Sequence, residues 1–450
     1  MNRFDLIIKN GLIVNPEENN VHLGNIGING GKVATLTSEQ ILGVQEIDAN
    51  GHVVCPGFID VHAHLDGSFE GARASVTQGI TTSIGGNCGL SPLHIADFLK
   101  VQSDKGFPIN QAELIGQSFT VRDFVGAKNI YGPATKYQIT EMGEIIERAL
   151  VDGAIGVSFG LEYAPGYTWN EISAIARVAA KYHKVVPIHT NLVGPDDLYH
   201  LSEVIRLGEE TGAHIHVSHF VYQYGMGAMT KALALLNEAI AKEINISADS
   251  GMYTSFATMI GSRVYDEEHL LKFGWKYEDL LVTTGVYAGE RLTRQLYKEM
   301  RERNPNESCI CFTGIEDEIY EAFEKPYMMM STDSGEHPTS HPQALGSYPR
   351  YFRKVVRERK ELSLIEAVRR CTLLPARTFN LPEKGSLSQG FDADIVIFDP
   401  DTITDKAQFY GIGDPCAKSE GIDYVLVNGQ AVVADGTLQK NAMPGKIIKY

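Results

Sequence analysis

Asp60-Val-His62-Ala-His64 is the first segment whose residue types and spacing could do chemistry. Residues two apart on a strand point to the same face, so both imidazoles leave the end of one strand side by side and can chelate one metal ion. Cys88 lies in Gly85-Gly86-Asn87-Cys88-Gly89, where glycines let the backbone come close to a ligand. A lone cysteine is usually a small buried hydrophobe, but zinc takes Cys and His readily, and beside two histidines Cys88 is a candidate thiolate ligand. His189, in VVPIHTN, and His219, in HIHVSHF, end two further strands. The period of two turns His216 away from His219, so one of these faces at most enters a site, and His219 is preferred because it is last on its strand. Asp333, in MMMSTDSGEHP, ends a late strand. A carboxylate there can ligate a metal, take a proton from water and hand it to a leaving nitrogen, or it can cap a turn before Ser-Gly. The Cys309-Ile-Cys311 pair lacks partner ligands nearby in sequence, and Met328 to Met330 read as buried strand filler.

The elements that must bring these residues together are short apolar strands alternating with amphipathic helical patterns such as EMGEIIERALVDG and KALALLNEAIAKE. The strands IDVHAH, TTSIGGNC, AIGVSFG, VVPIHTN, HIHVSHF, NISADSG, DLLVTTG and YMMMSTDSG number eight, as a closed parallel barrel requires. Pro92 to Pro133 has no clear period and is expected to be a lid or loop over the site. Residues 1–55 and 385–450 have a different texture, strand and turn without a long helix, and are expected to share one sheet as a small β domain beside a barrel of residues 56–384.

Composition narrows the function classes. With 43% hydrophobic and 21% charged residues in 450, the chain can bury a sizeable core and is not a disordered or coiled-coil sequence. A formal net charge of −16 repels phosphate backbones and anionic lipid, which argues against nucleic acid and membrane partners. Six scattered cysteines do not make a disulfide scaffold. With no signal-peptide pattern and no run of 18 uncharged apolar residues, the expected location is cytoplasmic. The expected partner is a small-molecule substrate, and a homo-oligomer is left open.

Taken together, DLIIKNGLIVN, PGFIDVHAH, QGITTSIGGNCGLSP, GAIGVSFGLEYAPG, HVSHF, STDSGEHP and ADIVIFDP resemble the metal-dependent amidohydrolase superfamily, and within it the D-aminoacylase (N-acyl-D-amino-acid deacylase) family. The resemblance implies an α/β fold: a (β/α)8 TIM-type barrel carrying a small β-sandwich built from both chain ends. It also implies zinc, one or two ions per subunit, held by Cys88, His189 and His219, with a second position at His62, His64 and Asp333. In it Cys88 takes the bridging place of a carbamylated lysine found elsewhere in the superfamily. The segment AIGVSFGLEY contains no lysine to carbamylate, and Glu162 is its only anionic residue, open as a ligand, a salt-bridge partner or a substrate contact. Tyr163, Tyr253 and Arg350 are candidates for the substrate pocket, and His337 is either a substrate-orienting residue or a loop residue. Family members that bind a free α-carboxylate use, as the resemblance suggests, a Lys after the HVSHF histidine, a Tyr and a Ser in a DxYPY-type segment, and an Arg after the late His-Pro. This chain offers Val221, Gly251, Ala257 and Gln343 there. The expectation is a zinc-dependent hydrolase of a linear amide C–N bond, with Asp333 as the proton shuttle, whose substrate lacks the usual carboxylate. The rival expectations are a cyclic amidohydrolase of hydantoinase or dihydroorotase type and a non-catalytic scaffold on the same fold.

Overall fold

The computed structural model describes residues 3–337 and 340–449; Pro338 of the STDSGEHP motif, Thr339 and positions 1, 2 and 450 lie outside the described residues. Eight parallel strands build the barrel wall. They are Phe58–Asp60, Ile80–Gly85, Asn110–Glu113 continued past Leu114 by Ile115–Gly116, Val157–Gly160, Val185–His189, His214–Val217, Ile246–Ser250 and Met328–Met330. Their residues are buried almost throughout, because helices cover the outside and side chains fill the inside. The ring closes just beyond the first and last strands, through a parallel bridge between Ala63 and Ser334. There the Asp333 amide donates to the His62 carbonyl and the His64 amide to the Ser334 carbonyl, each at 2.8 Å. Barrel closure therefore holds the His62–His64 segment against Asp333.

The expected count of eight holds, but two memberships change. Leu280–Val282, from DLLVTTG, is not a barrel strand: it pairs antiparallel with Ser308–Phe312, which also pairs with Ser255–Met259. These three strands belong to an insertion between the seventh and eighth barrel strands, with a core of its own that includes Ile260, Tyr265, Leu280, Met300 and Cys311. The third barrel strand lies instead inside Pro92–Pro133, which is not a structureless lid but a helix (Ile95–Lys105), that strand, and a π-helical turn (Gln117–Val121). Polar side chains hide it from a hydrophobicity reading: Asn110 is fully buried, its Nδ2 donating to the Thr81 carbonyl at 3.0 Å and to Asp394 at 2.9 Å.

Segments from both ends of the sequence meet in one nine-stranded sheet. Val53–Pro56 joins them by pairing in parallel with Phe4–Asn15 and antiparallel with Ile395–Phe398. Phe4–Asn15 bends at Asn10, which is left-handed at φ 56°, and its register against Asn20–Asn29 shifts between Ile8 and Gly11. The sheet thus folds around a separate core of Ile8, Ile13, Ile26, Val54, Ile395 and Leu426 as one bent sheet. Lys384 Nζ anchors its base, donating to Asp394 at 2.6 Å and lying 2.9 Å from Asp392. No described helix is long and apolar enough to cross a membrane.

Candidate metal centre

Four imidazoles, one thiol and one carboxylate converge at the C-terminal end of the barrel. The sulfur of Cys88 lies 3.4 Å from His62 Nε2, 3.6 Å from His189 Nδ1 and 3.7 Å from His219 Nε2. Asp333 Oδ1 lies 3.5 Å from both His62 Nε2 and His64 Nε2. Two sets of three could each grip one ion, His62–Cys88–His219 and His62–His64–Asp333, and His189 meets the first through the sulfur.

Local backbone makes this convergence. In the turn after the second strand, Gly86 is left-handed at φ 76°, and a Cβ there would stand 2.2 Å from the Leu114 carbonyl oxygen. Cys88, His219 and Asp333 are themselves left-handed, at φ 52°, 34° and 54°. Such a conformation costs a non-glycine residue ~1–3 kcal/mol and persists only where surrounding structure enforces it, as at functional sites. For Asp333 that structure is the barrel closure. For His219 it is Asp249, whose Oδ1 accepts the His219 amide at 3.0 Å while Oδ2 lies 2.7 Å from His216 Nε2.

The donor set fits zinc. Tetrahedral Zn–S and Zn–N bonds of ~2.3 and ~2.05 Å place a sulfur and a nitrogen ligand about 3.5 Å apart, which matches the three separations around Cys88. Burial, then the charges of neighbouring imidazoles, holds His62 well below its ordinary pKa; burial, then His64, brings His189 to about 3; burial, then His189, brings His219 to about 4. These rings are neutral and can offer lone pairs. Burial also lowers His64, but its hydrogen bonds to Asp333 and Cys88 outweigh that and hold it well above the ordinary value. Burial raises the Cys88 thiol against the opposing pull of His64. His62 Nδ1 and His219 Nδ1 are buried without a hydrogen-bond partner among the described residues.

The model of the amidohydrolase family matches residues 53–432, most of the sequence. The chain belongs to the amidohydrolase family. Over 99% of its length this amidohydrolase is 28% identical to an N-acyl-D-glutamate deacylase of Alcaligenes xylosoxydans xylosoxydans, covering 97% of that protein. Over 95% it is 27% identical to a D-aminoacylase of the same organism, covering 94%. Among solved structures it resembles the N-acyl-D-glutamate deacylase of Bordetella bronchiseptica complexed with zinc and a phosphonate mimic of the tetrahedral intermediate. The TM-score is 0.88 at 27% identity, with 100% of both chains covered.

A cavity of about 860 Å³ opens onto the cluster of His64, Cys88, His189, His219 and Asp333. Tyr163 lines it with its ring 4.6 Å from that of His189, and the exposed His337 stands at its rim. Glu162 also lines it, but approaches the far side of His189: its Oε2 is 2.8 Å from Nε2, whereas Nδ1 faces Cys88. That is the place of a residue that orients the imidazole. Burial pushes the Glu162 carboxyl up to about 7, opposed by His269 and Arg263.

Two expected substrate residues lie elsewhere. Tyr253 and Arg350 line a separate cavity of about 350 Å³. Arg350 stacks on Tyr253, donates to the Met252 carbonyl at 3.0 Å and pairs with Asp405 at 3.2 Å. Packing of the helix Gln343–Tyr351 against the chain after the seventh strand sends both side chains away from the ligand cluster. Residues that sequence reasoning passed over include Gln223, whose Nε2 lies 3.0 Å from His189 Nε2 beside Glu162, and Tyr222. Asp249, which fixes His216 and His219, was signalled by a carboxylate inside the apolar strand ISADS.

Proposed function

We propose that this amidohydrolase is a zinc-dependent deacylase that hydrolyses a linear amide C–N bond. The observation that carries the reading is the Cys88 sulfur set 3.4–3.7 Å from three imidazole nitrogens, with Asp333 3.5 Å from two. The deacylase names of full-length relatives and the zinc in one relative's structure support it. As the resemblance implies, Cys88, His189 and His219 would hold one zinc, with His62 also close to the Cys88 sulfur, and His62, His64 and Asp333 would form a second position. A zinc ion held there would supply Lewis-acid polarisation of the scissile carbonyl and would lower the pKa of water to about 7.

The chain's own residues do the rest. Asp333, left-handed and fixed by barrel closure, takes the proton from the attacking water and returns it to the leaving nitrogen. Glu162 and Gln223 fix the ring of His189 so that Nδ1 faces the cluster. Tyr163, its ring 4.6 Å from that of His189, lines the cavity that would take the acyl group, and the insertion from the seventh strand to the eighth supplies part of the same lining. The cyclic-amide reading lacks a lysine on the fourth strand, VSFG, to carbamylate, and a scaffold that had lost its chemistry would have no reason to keep three ligand positions left-handed.

We further propose a cytoplasmic enzyme acting on a small molecule, with units 1–55 plus 385–450 and 56–384. Five of its six cysteines are buried and none is paired, as in a reducing compartment. The deciding experiment is metal analysis of the pure protein with a turnover screen against N-acyl-D- and L-amino acids, their amides, dipeptides and hydantoins. Zinc near one or two equivalents and turnover confined to linear amides are expected; less than about a tenth of an equivalent with full turnover, or turnover of hydantoins alone, defeats the reading.

A further inference from the structure

The described wall of the main cavity is mostly uncharged or acidic, and the one imidazole there held above its ordinary pKa, His64, is already paired with Asp333. Among its described lining residues there is no Lys or Arg, while Asp66, Glu162, Glu307, Asp333 and Glu336 all contribute carboxyl groups. A substrate carboxylate carried into such a site would need a cation or several free donors in exchange for its water. The polar groups nearest the ligand cluster are already engaged. Tyr222 donates its phenol to Gln343 Oε1 at 2.9 Å, and Gln343 Nε2 donates to the Asp333 carbonyl. The Tyr222 phenol also occupies the space beside Gly251, where any Cβ would stand 2.4 Å from its oxygen. His341, buried in the same wall, is held neutral: burial brings it to about 3 and its ring meets Ser255 at 3.0 Å.

Much of the remaining lining is apolar, including Leu192, Met226, Phe256, Val264, Phe273 and Trp275. The cavity's volume of about 860 Å³ lies high in the range of ~300–1,000 Å³ that accommodates drug-sized ligands, far more than an acetyl group fills.

We infer that the substrate is an N-acyl compound with no carboxylate beside the scissile bond and with a bulky apolar group, and that Tyr222, locked to Gln343 against Gly251, blocks the place where a carboxylate would be held. This rests on the linear-amide reading above and departs from the acidic substrates in the names of the relatives. Water adds across the amide C–N bond, and the products are a free carboxylic acid from the acyl side and an amine that is neutral elsewhere.

The test uses the zinc-loaded, full-length protein and four compounds in each chirality: N-acetyl- and N-octanoyl-phenylalanine and the corresponding phenylalaninamides. In the preferred chirality, kcat/KM for each amide is expected to exceed that for its acid at least tenfold, and octanoyl to exceed acetyl at least tenfold. The acids should also inhibit amide turnover with constants at least tenfold above the amide KM. Acid turnover equal to or better than amide turnover, or acetyl equal to octanoyl, overturns the inference while leaving the linear-amide reading intact. No turnover of any of the four, with zinc bound, overturns both.

Discussion

Asp333 is held between two imidazoles by its own backbone, which makes its side chain separable from the fold. Asp333→Asn keeps the amide bond to the His62 carbonyl and the left-handed turn, so circular dichroism and melting should change little. Turnover is expected to fall ~10²- to 10⁴-fold, the usual worth of general acid-base work; near-normal kcat would make Asp333 a turn residue. Cys88→Ala should lose zinc as well as rate, measured by metal content after dialysis, because a merely packed thiol would cost stability alone. Glu162→Gln is expected to weaken zinc affinity ~10- to 100-fold, as removal of an imidazole-orienting carboxylate does; unchanged affinity by chelator competition would return Glu162 to the substrate side. HxH and GNCG were legible because their residues are neighbours in sequence and need only the period of a strand or the turn of a glycine. Which nitrogen of His189 faces Cys88, and hence that Glu162 stands behind the ring, depends on a contact 27 residues apart that no spacing rule encodes. Tyr253 and Arg350 were misplaced for a related reason: side-chain direction after a strand ends has no period, and how the helix Gln343–Tyr351 that carries Arg350 packs is set by contacts distant in sequence.

The elements tell the same story through polar burial. Barrel strands rich in Val and Ile announce themselves, whereas the third strand, NQAE, is hidden because its side chains are satisfied by neighbours distant in sequence. The π-helical turn that follows it is tied to the helix Trp169–Lys181 by a fully buried trio: Arg122 Nη1 lies 2.6 Å from Glu171 Oε1, which also accepts from Gln117 Nε2 at 2.7 Å. Ser118, on this turn, accepts the Gly160 amide at 2.9 Å, and Ser158 accepts the Gly89 amide at 2.9 Å, so the trio also supports the Cys88 turn. Arg122→Met should destabilise the protein by ~3–5 kcal/mol in chemical denaturation, because it strands a buried carboxylate. Adding Glu171→Leu should recover most of that loss. A single variant within about 1 kcal/mol of the wild type would mean that water reaches Glu171.

At the scale of the whole molecule, the barrel and its β domain are joined through Lys384, Asp394 and Asn110, groups from two distant parts of the chain. The likeness of the two β segments pointed to one shared sheet; that this sheet bends at Asn10 depends on a left-handed residue, which a single Asn does not advertise. The joining of Val53–Pro56 to Ile395–Phe398 has a consequence for how the protein is made. During synthesis the first strands leave the ribosome about 340 residues before their antiparallel neighbour, a delay on the order of tens of seconds at ~5–20 residues per second. Throughout that interval a β-branched edge that is fully covered in the finished enzyme is open to other nascent chains. A chain released after residue 384 is therefore expected to pellet or to bind a hydrophobic dye, and co-expressed residues 385–450 to restore it to the soluble fraction. In the cell, correct production of this enzyme becomes a matter of shielding an orphan strand until its mate is translated.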